Sequence, residues 1–128
     1  MSFTLTQHTD APIIVNHLHA DYTMAEFDPA NQKAGALLDK VTEPHYYIVI
    51  FDFTLTLEEL LEGASGLARS ENSLWHHPNI KQVIMVTDND LFRLSAKGMH
   101  SDVFGNLDIA VFSTLEDALA YTRVHTAN

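Results

Sequence analysis

The residues that decide the fold are Tyr46-Tyr47-Ile48-Val49-Ile50-Phe51, an unbroken apolar run of aromatic and β-branched side chains. A strand with no polar position has no side that faces water, which is typical of a central strand covered on both faces of a parallel sheet. Two more buried strands are predicted further along the chain, at Val83-Ile84-Met85-Val86 and over residues 107–112. The sequence therefore predicts a sheet built around the central run.

Between these runs the apolar residues recur at intervals of three or four, as on one face of a helix. Over residues 23–41 this spacing continues across Pro29. We expect one helix there, kinked or loosely wound near its start, because proline clashes with the carbonyl four residues earlier. Three further helices are expected to begin at Thr56, Thr87 and Thr114, whose hydroxyls can accept hydrogen bonds from the first free N–H groups of a helix.

The N-terminal residues predict a β-hairpin. Phe3-Thr4-Leu5-Thr6 alternates apolar and polar side chains, and a second β-branched run over residues 13–19 follows a cluster of turn residues. Helices that connect the later strands imply right-handed crossovers and parallel pairing. The predicted fold class is α/β: a single domain over residues 1–128, with a mixed, mostly parallel sheet of about five strands, four helices and an N-terminal antiparallel hairpin.

Composition excludes several classes of function. The chain has 128 residues, of which 46% are hydrophobic and 19% charged, values typical of one soluble globular domain. Its net charge of −10 argues against binding a nucleic-acid backbone, which requires clustered Lys and Arg. No apolar run approaches the roughly 20 residues of a membrane-spanning helix, and no signal peptide is readable, so the cytoplasm is the expected location. The absence of cysteine excludes disulfides, thiol catalysis and thiolate metal sites.

This order of elements resembles the STAS fold, named after sulphate transporters and anti-sigma-factor antagonists. In particular, it is similar to small stand-alone bacterial proteins of the anti-sigma-factor-antagonist-like (STAS-like) type. The resemblance covers about residues 12–124 and depends on five stretches in consistent order, which are residues 22–27, 36–41, 47–52, 77–86 and 110–118. It implies a regulatory or docking module that acts through protein–protein contact and is not an enzyme.

Such a module needs an exposed apolar or mixed patch. We expect this patch near the start of the Thr56 helix or along residues 87–99, where Leu91 and Leu94 should form the apolar face of a helix. A protein partner is expected, and the uneven charge balance together with a possible edge strand at residues 3–6 could also support a two-fold dimer.

Thr54 and Thr56 are candidate phosphoacceptors by the same resemblance. In phospho-regulated members, the helix after the central strand begins with Asp-Ser-Ser/Thr-Gly, and one hydroxyl is phosphorylated. Here the two threonines follow Asp52 at nearly the same place, but the Asp-Ser pair and the glycine are missing. Glu58 and Glu59 would also repel a phosphate. The competing interpretation is that Thr56 only caps its helix.

A second function implied by the resemblance is binding of a small apolar or lipid-like molecule in a groove between sheet and helices. Large apolar side chains after the central strand would line such a groove. The candidates are Phe51, Phe53, Trp75, Phe92, Met99 and Phe104. The same residues could equally be ordinary core.

A third alternative is a phosphoacceptor domain like a response-regulator receiver, since Asp52 and Thr87 follow two buried strands. A receiver also needs an acidic pair to hold Mg²⁺ at the end of the first parallel strand and a lysine after the last strand, and the sequence offers neither.

His17 and His19 should point to the same side of their strand and could bind zinc if a third ligand converged; otherwise they are the polar side of an edge strand. No catalytic residue, metal or cofactor is predicted.

Overall fold

The structure is a computed structural model that describes residues 3–9, 11–22, 27–53, 58, 77–90, 92–94 and 109–126. The strands are β1 (Phe3–Gln7), β2 (Ile13–Leu18), β3 (His45–Phe51), β4 (Ile80–Val86) and β5 (Ile109–Phe112). The helices described with both ends are α1 (Phe27–Lys40) and α2 (Leu115–Thr126). Every strand predicted from the sequence is present.

The five strands form one sheet in the order β1-β2-β3-β4-β5. β1 pairs antiparallel with β2, whereas β2–β3, β3–β4 and β4–β5 are parallel. The predictions of an N-terminal hairpin and a mostly parallel sheet are therefore confirmed. β3 is the central strand, where Tyr47 lies between Ile14 of β2 and Val83 of β4.

Both faces of the sheet carry a hydrophobic core. On one face, Ala34 and Leu38 of α1 are fully buried in a cluster with Tyr47 and Val49. On the other face, Ala118 of α2 packs in a second cluster with alternate β3 residues such as Ile48. This arrangement explains why β3 is apolar at every position, since its successive side chains enter different cores.

The order of the strands determines which helix lies on which face. Each parallel strand is added beside the previous one in the same direction, and right-handed crossovers then place the connecting segments on one face of the sheet. α1 lies on this face, and so does Phe92, from the connection after β4. α2 follows β5 and packs against the opposite face.

The helix starts follow local chemistry. α1 begins at Phe27 and has Pro29 in its first turn, where a backbone N–H would have no partner within the helix, so the missing N–H of proline costs little. Residues 23–26, part of the predicted helix, lie outside the described residues. For α2 the predicted cap is confirmed, because the Asp117 N–H donates to Thr114 Oγ1 at 3.2 Å.

One helix prediction needs correction. The described part of the chain shows three helical segments of more than one residue, not four: α1, α2 and residues 90 and 92–94. Of the helix predicted to begin at Thr56, only Glu58 is described, and it is helical. Leu94, which was predicted on the apolar face of the helix after Thr87, is 62% exposed, whereas Phe92 is buried. The ring of Phe92 faces the sheet because it stacks on Phe51, at 4.7 Å between ring centroids.

Candidate functional site

Polar side chains gather where the parallel strands end. In open α/β sheets, ligands commonly bind outside the carboxyl ends of the parallel strands, where loops on a rigid scaffold carry the binding residues. Here β2, β3, β4 and β5 end at Leu18, Phe51, Val86 and Phe112. We call this region the carboxyl edge. Among the described residues, its polar side chains include His17, His19, Asp52, Thr87, Arg93 and Ser113.

A histidine–carboxylate pair joins the ends of β2 and β3. His17 lies opposite Ile50 in the parallel register, so Asp52, two residues further along, lies on the same side of the sheet. His17 Nε2 and Asp52 Oδ2 are in direct hydrogen-bond contact. The two side chains are 34% and 59% exposed. Because water reaches both groups, the pair contributes little to stability and is available to an outside partner.

His19 extends this cluster to β1. Its ring stacks on His17, with 4.3 Å between centroids, which confirms that the two histidines lie on the same side. His19 Nε2 is 2.7 Å from the Thr4 hydroxyl. Among the residues that the structure describes, no group of three His, Asp or Glu side chains is arranged to hold a metal ion. The contacts that the structure shows for the two histidines are with Asp52, with Thr4 and with each other.

A second polar group joins the ends of β4 and β5. Arg93 Nη2 donates to Ser113 Oγ at 2.6 Å and, at 3.4 Å, to the Thr87 carbonyl oxygen. The Thr87 hydroxyl is buried and accepts the Asn89 N–H at 3.0 Å. In the receiver alternative Thr87 and Asp52 would serve phosphotransfer; here the hydroxyl of Thr87 caps the following turn and Asp52 pairs with His17. The end of β2, where that alternative needs acids, carries histidines instead.

Aromatic side chains fill the interior just below the carboxyl edge. Phe53 and Phe92 are 6% and 2% exposed, with their ring centroids 5.7 Å apart. Phe53 also contacts Tyr22, at 4.8 Å between centroids. Phe51, a third predicted groove residue, contacts Phe53 and Phe92 at 5.9 and 4.7 Å between centroids, so the structure places these three together. The other three groove candidates, Trp75, Met99 and Phe104, lie outside the described residues, as do both predicted phosphoacceptors, Thr54 and Thr56.

The pairings at this edge were missed by reasoning from the sequence, although a signal existed for one of them. His17 and Asp52 each stand at the end of a buried strand, and neighbouring parallel strands end at the same edge. Arg93 and Ser113 follow β4 and β5 in the same way, but Arg93 is seven residues beyond Val86 and its reach depends on the path of the intervening turn.

A second histidine–carboxylate pair lies at the opposite end of the parallel strands, near the start of β4. His77 lies three residues before β4, and its Nε2 contacts Asp39 Oδ1 of α1 at 2.8 Å. Nearby, the Asn79 side-chain amide donates to the Leu38 carbonyl at 2.8 Å. These contacts satisfy the C-terminal end of α1 and fix the entry into β4, which is a structural role.

No protein-family model matches the chain, and no curated protein matches it. Among solved structures, the chain is similar to the crystal structure of an uncharacterized protein of the DUF3478 family with a SpoIIAA-like fold, from Shewanella loihica PV-4. The TM-score is 0.61, and the match covers 94% of this chain and 91% of the other. At 13% sequence identity this likeness shows the fold alone. The STAS-like architecture is thereby confirmed.

Proposed function

We propose that this protein is a regulatory docking module that acts through protein–protein contact at the carboxyl edge and has no catalytic activity of its own. The observation that carries the proposal is the exposure of Leu94. It is 62% exposed and lies within residues 87–99, where the sequence predicted a contact patch. Among the described residues, only Val124 is a large hydrophobic side chain of equal exposure.

The surroundings of Leu94 support this role. Arg93 is held by Ser113 and Thr87, and Phe92 is buried, so the backbone of this segment is anchored from two sides while Leu94 points outward. Exposed acids, including Asp52 and Asp88, lie on the same edge. An apolar side chain on a fixed backbone with polar neighbours has the composition of a protein contact, in which an apolar centre is surrounded by a polar rim.

Affinity capture with matched variants tests the proposal. Leu94→Asp should abolish the capture of a specific partner from lysate of the source organism, because a carboxylate cannot be buried in an apolar contact. Val124→Asp is the control, since it makes the same change at a residue that is also 62% exposed. A partner retained by wild type and by Val124→Asp but lost with Leu94→Asp supports the proposal. Equal capture by all three proteins would refute it.

The apolar-ligand alternative stays a prediction, and the described residues favour it less. Phe53 and Phe92 contact each other directly, as core side chains do. A thermal-shift screen with fatty acids separates the two functions, because only a ligand that binds the folded state raises the melting temperature.

A further inference from the structure

Asn16 is a polar residue in the core beneath α1. Its neighbours on the same side of β2, Ile14 and Leu18, belong to the hydrophobic cluster of this face. Asn16 itself is 2% exposed. Its Nδ2 donates to the hydroxyl of Tyr47 at 3.0 Å, and Tyr47 is also buried. The pair joins β2 to β3 inside an otherwise apolar environment.

This pair has one hydrogen-bond acceptor and one donor without a partner among the described residues. Asn16 Oδ1 is buried and, within the part of the chain that the structure describes, has no hydrogen-bond partner. The Tyr47 hydroxyl accepts a bond from Asn16, but within the described residues no acceptor is found for its own hydrogen. Exchanging the oxygen and nitrogen of the amide would satisfy Tyr47 but leave the amide N–H groups unpartnered. Either orientation leaves a buried polar group unsatisfied, which native proteins rarely tolerate.

The two unsatisfied groups are complementary and close together. The bond lengths and the angle of an amide place Oδ1 about 2.3 Å from Nδ2, so Oδ1 and the Tyr47 oxygen are at most about 5.3 Å apart. One oxygen that forms two hydrogen bonds of about 2.8 Å spans this gap. Burial raises the pKa of Tyr47 far above its ordinary value, against the opposing effect of the Asn16 hydrogen bond, so the phenol keeps its proton and can donate it.

We propose that Asn16 and Tyr47 form a binding point for a hydroxyl group in the core beneath α1. The bound hydroxyl donates its hydrogen to Asn16 Oδ1 and accepts the hydrogen of Tyr47. The same chemistry is supplied by an internal water molecule and by the hydroxyl of a small uncharged ligand. This site is separate from the carboxyl-edge contact surface and does not depend on the proposed docking function.

Two measurements on the wild-type protein test the site and identify the source of the hydroxyl. Nuclear Overhauser contacts between the Asn16 side-chain amide and a long-lived water resonance are expected if the hydroxyl belongs to water. Native mass spectrometry should instead show a discrete added mass, lost on denaturation, if it belongs to an organic ligand. A high-resolution crystal structure should show an oxygen within hydrogen-bond distance of both groups. A dry site, or a side chain of the protein itself in that position, would overturn the proposal.

A matched pair of variants adds an independent test. Tyr47→Phe should remove the water contact or the added mass, because only one of the two anchoring groups remains. Tyr46→Phe is the control, since Tyr46 is equally buried and lies on the same strand but belongs to the core on the other face. It should leave the signal intact. A signal that persists unchanged in Tyr47→Phe would refute the assignment; if that variant does not fold, the wild-type measurements still decide.

Discussion

Replacing Phe92 and Leu94 separately by alanine tests the orientation of the segment after β4. Phe92 is 2% exposed and its ring contacts Phe51 and Phe53, so its truncation leaves a cavity among aromatic rings. Removing a phenyl ring from a core typically costs about 3–5 kcal/mol. Natural domains are stable by only about 5–15 kcal/mol, so Phe92→Ala should remove a large part of the free energy of unfolding.

Leu94→Ala should behave differently. Leu94 is 62% exposed, so little more than a third of it is covered by protein. Because complete burial of a leucine side chain is worth about 1.5–3 kcal/mol, a third of that gives a cost of about 1 kcal/mol or less.

Urea denaturation followed by circular dichroism measures both costs under the same conditions. The expected result is a large drop in the midpoint for Phe92→Ala and a small one for Leu94→Ala, with similar slopes. If Leu94→Ala costs as much as Phe92→Ala, Leu94 faces the core. The docking proposal would then lose the observation on which it depends.

Three more changes test other parts of the structure. Thr114→Ala should destabilise the protein by about 1 kcal/mol, measured by denaturation, because α2 loses the hydroxyl that accepts the Asp117 N–H; no measurable change would mean that this cap is not formed. Asp52→Asn should change stability by no more than about 1 kcal/mol, because the His17–Asp52 pair is exposed to solvent; a much larger loss would show that the pair is buried in solution. Incubation with ATP and lysate of the source organism should leave the intact mass unchanged if Thr56 only caps its helix; a stoichiometric phosphate at Thr54 or Thr56 would contradict this.

The strands could be predicted because their signal is local. The run Tyr46-Tyr47-Ile48-Val49-Ile50-Phe51 has no polar position, which predicts burial on both faces of the sheet. In the structure, each set of alternate residues enters a different hydrophobic core. The cap at Thr114 depends only on its own neighbours and was also predicted correctly. Such features depend on a few consecutive residues and not on the rest of the chain.

The orientation of the segment after β4 could not be predicted. Phe92 and Leu94 are both apolar, and a few residues of helix do not show which of the two side chains faces the core. The contact with Phe51, some 40 residues away, decides it. The pairings His17–Asp52 and Asn16–Tyr47 depend on the register between β2 and β3, which the sequence does not specify. Asn16 did carry a visible signal, since it is an amide within a run of β-branched residues, but its partner became clear only with the register.

The sequential strand order has a consequence for how the molecule forms on the ribosome. Each strand finds its neighbour in the part of the chain made just before it, so the sheet can grow in the direction of synthesis without waiting for distant partners. α2 is synthesised after all five strands and packs in the cluster that contains Ile48 and Ile84. Until the residues of α2 leave the exit tunnel, the hydrophobic face of the sheet that α2 packs against is exposed to solvent. During this interval a chaperone would be most useful.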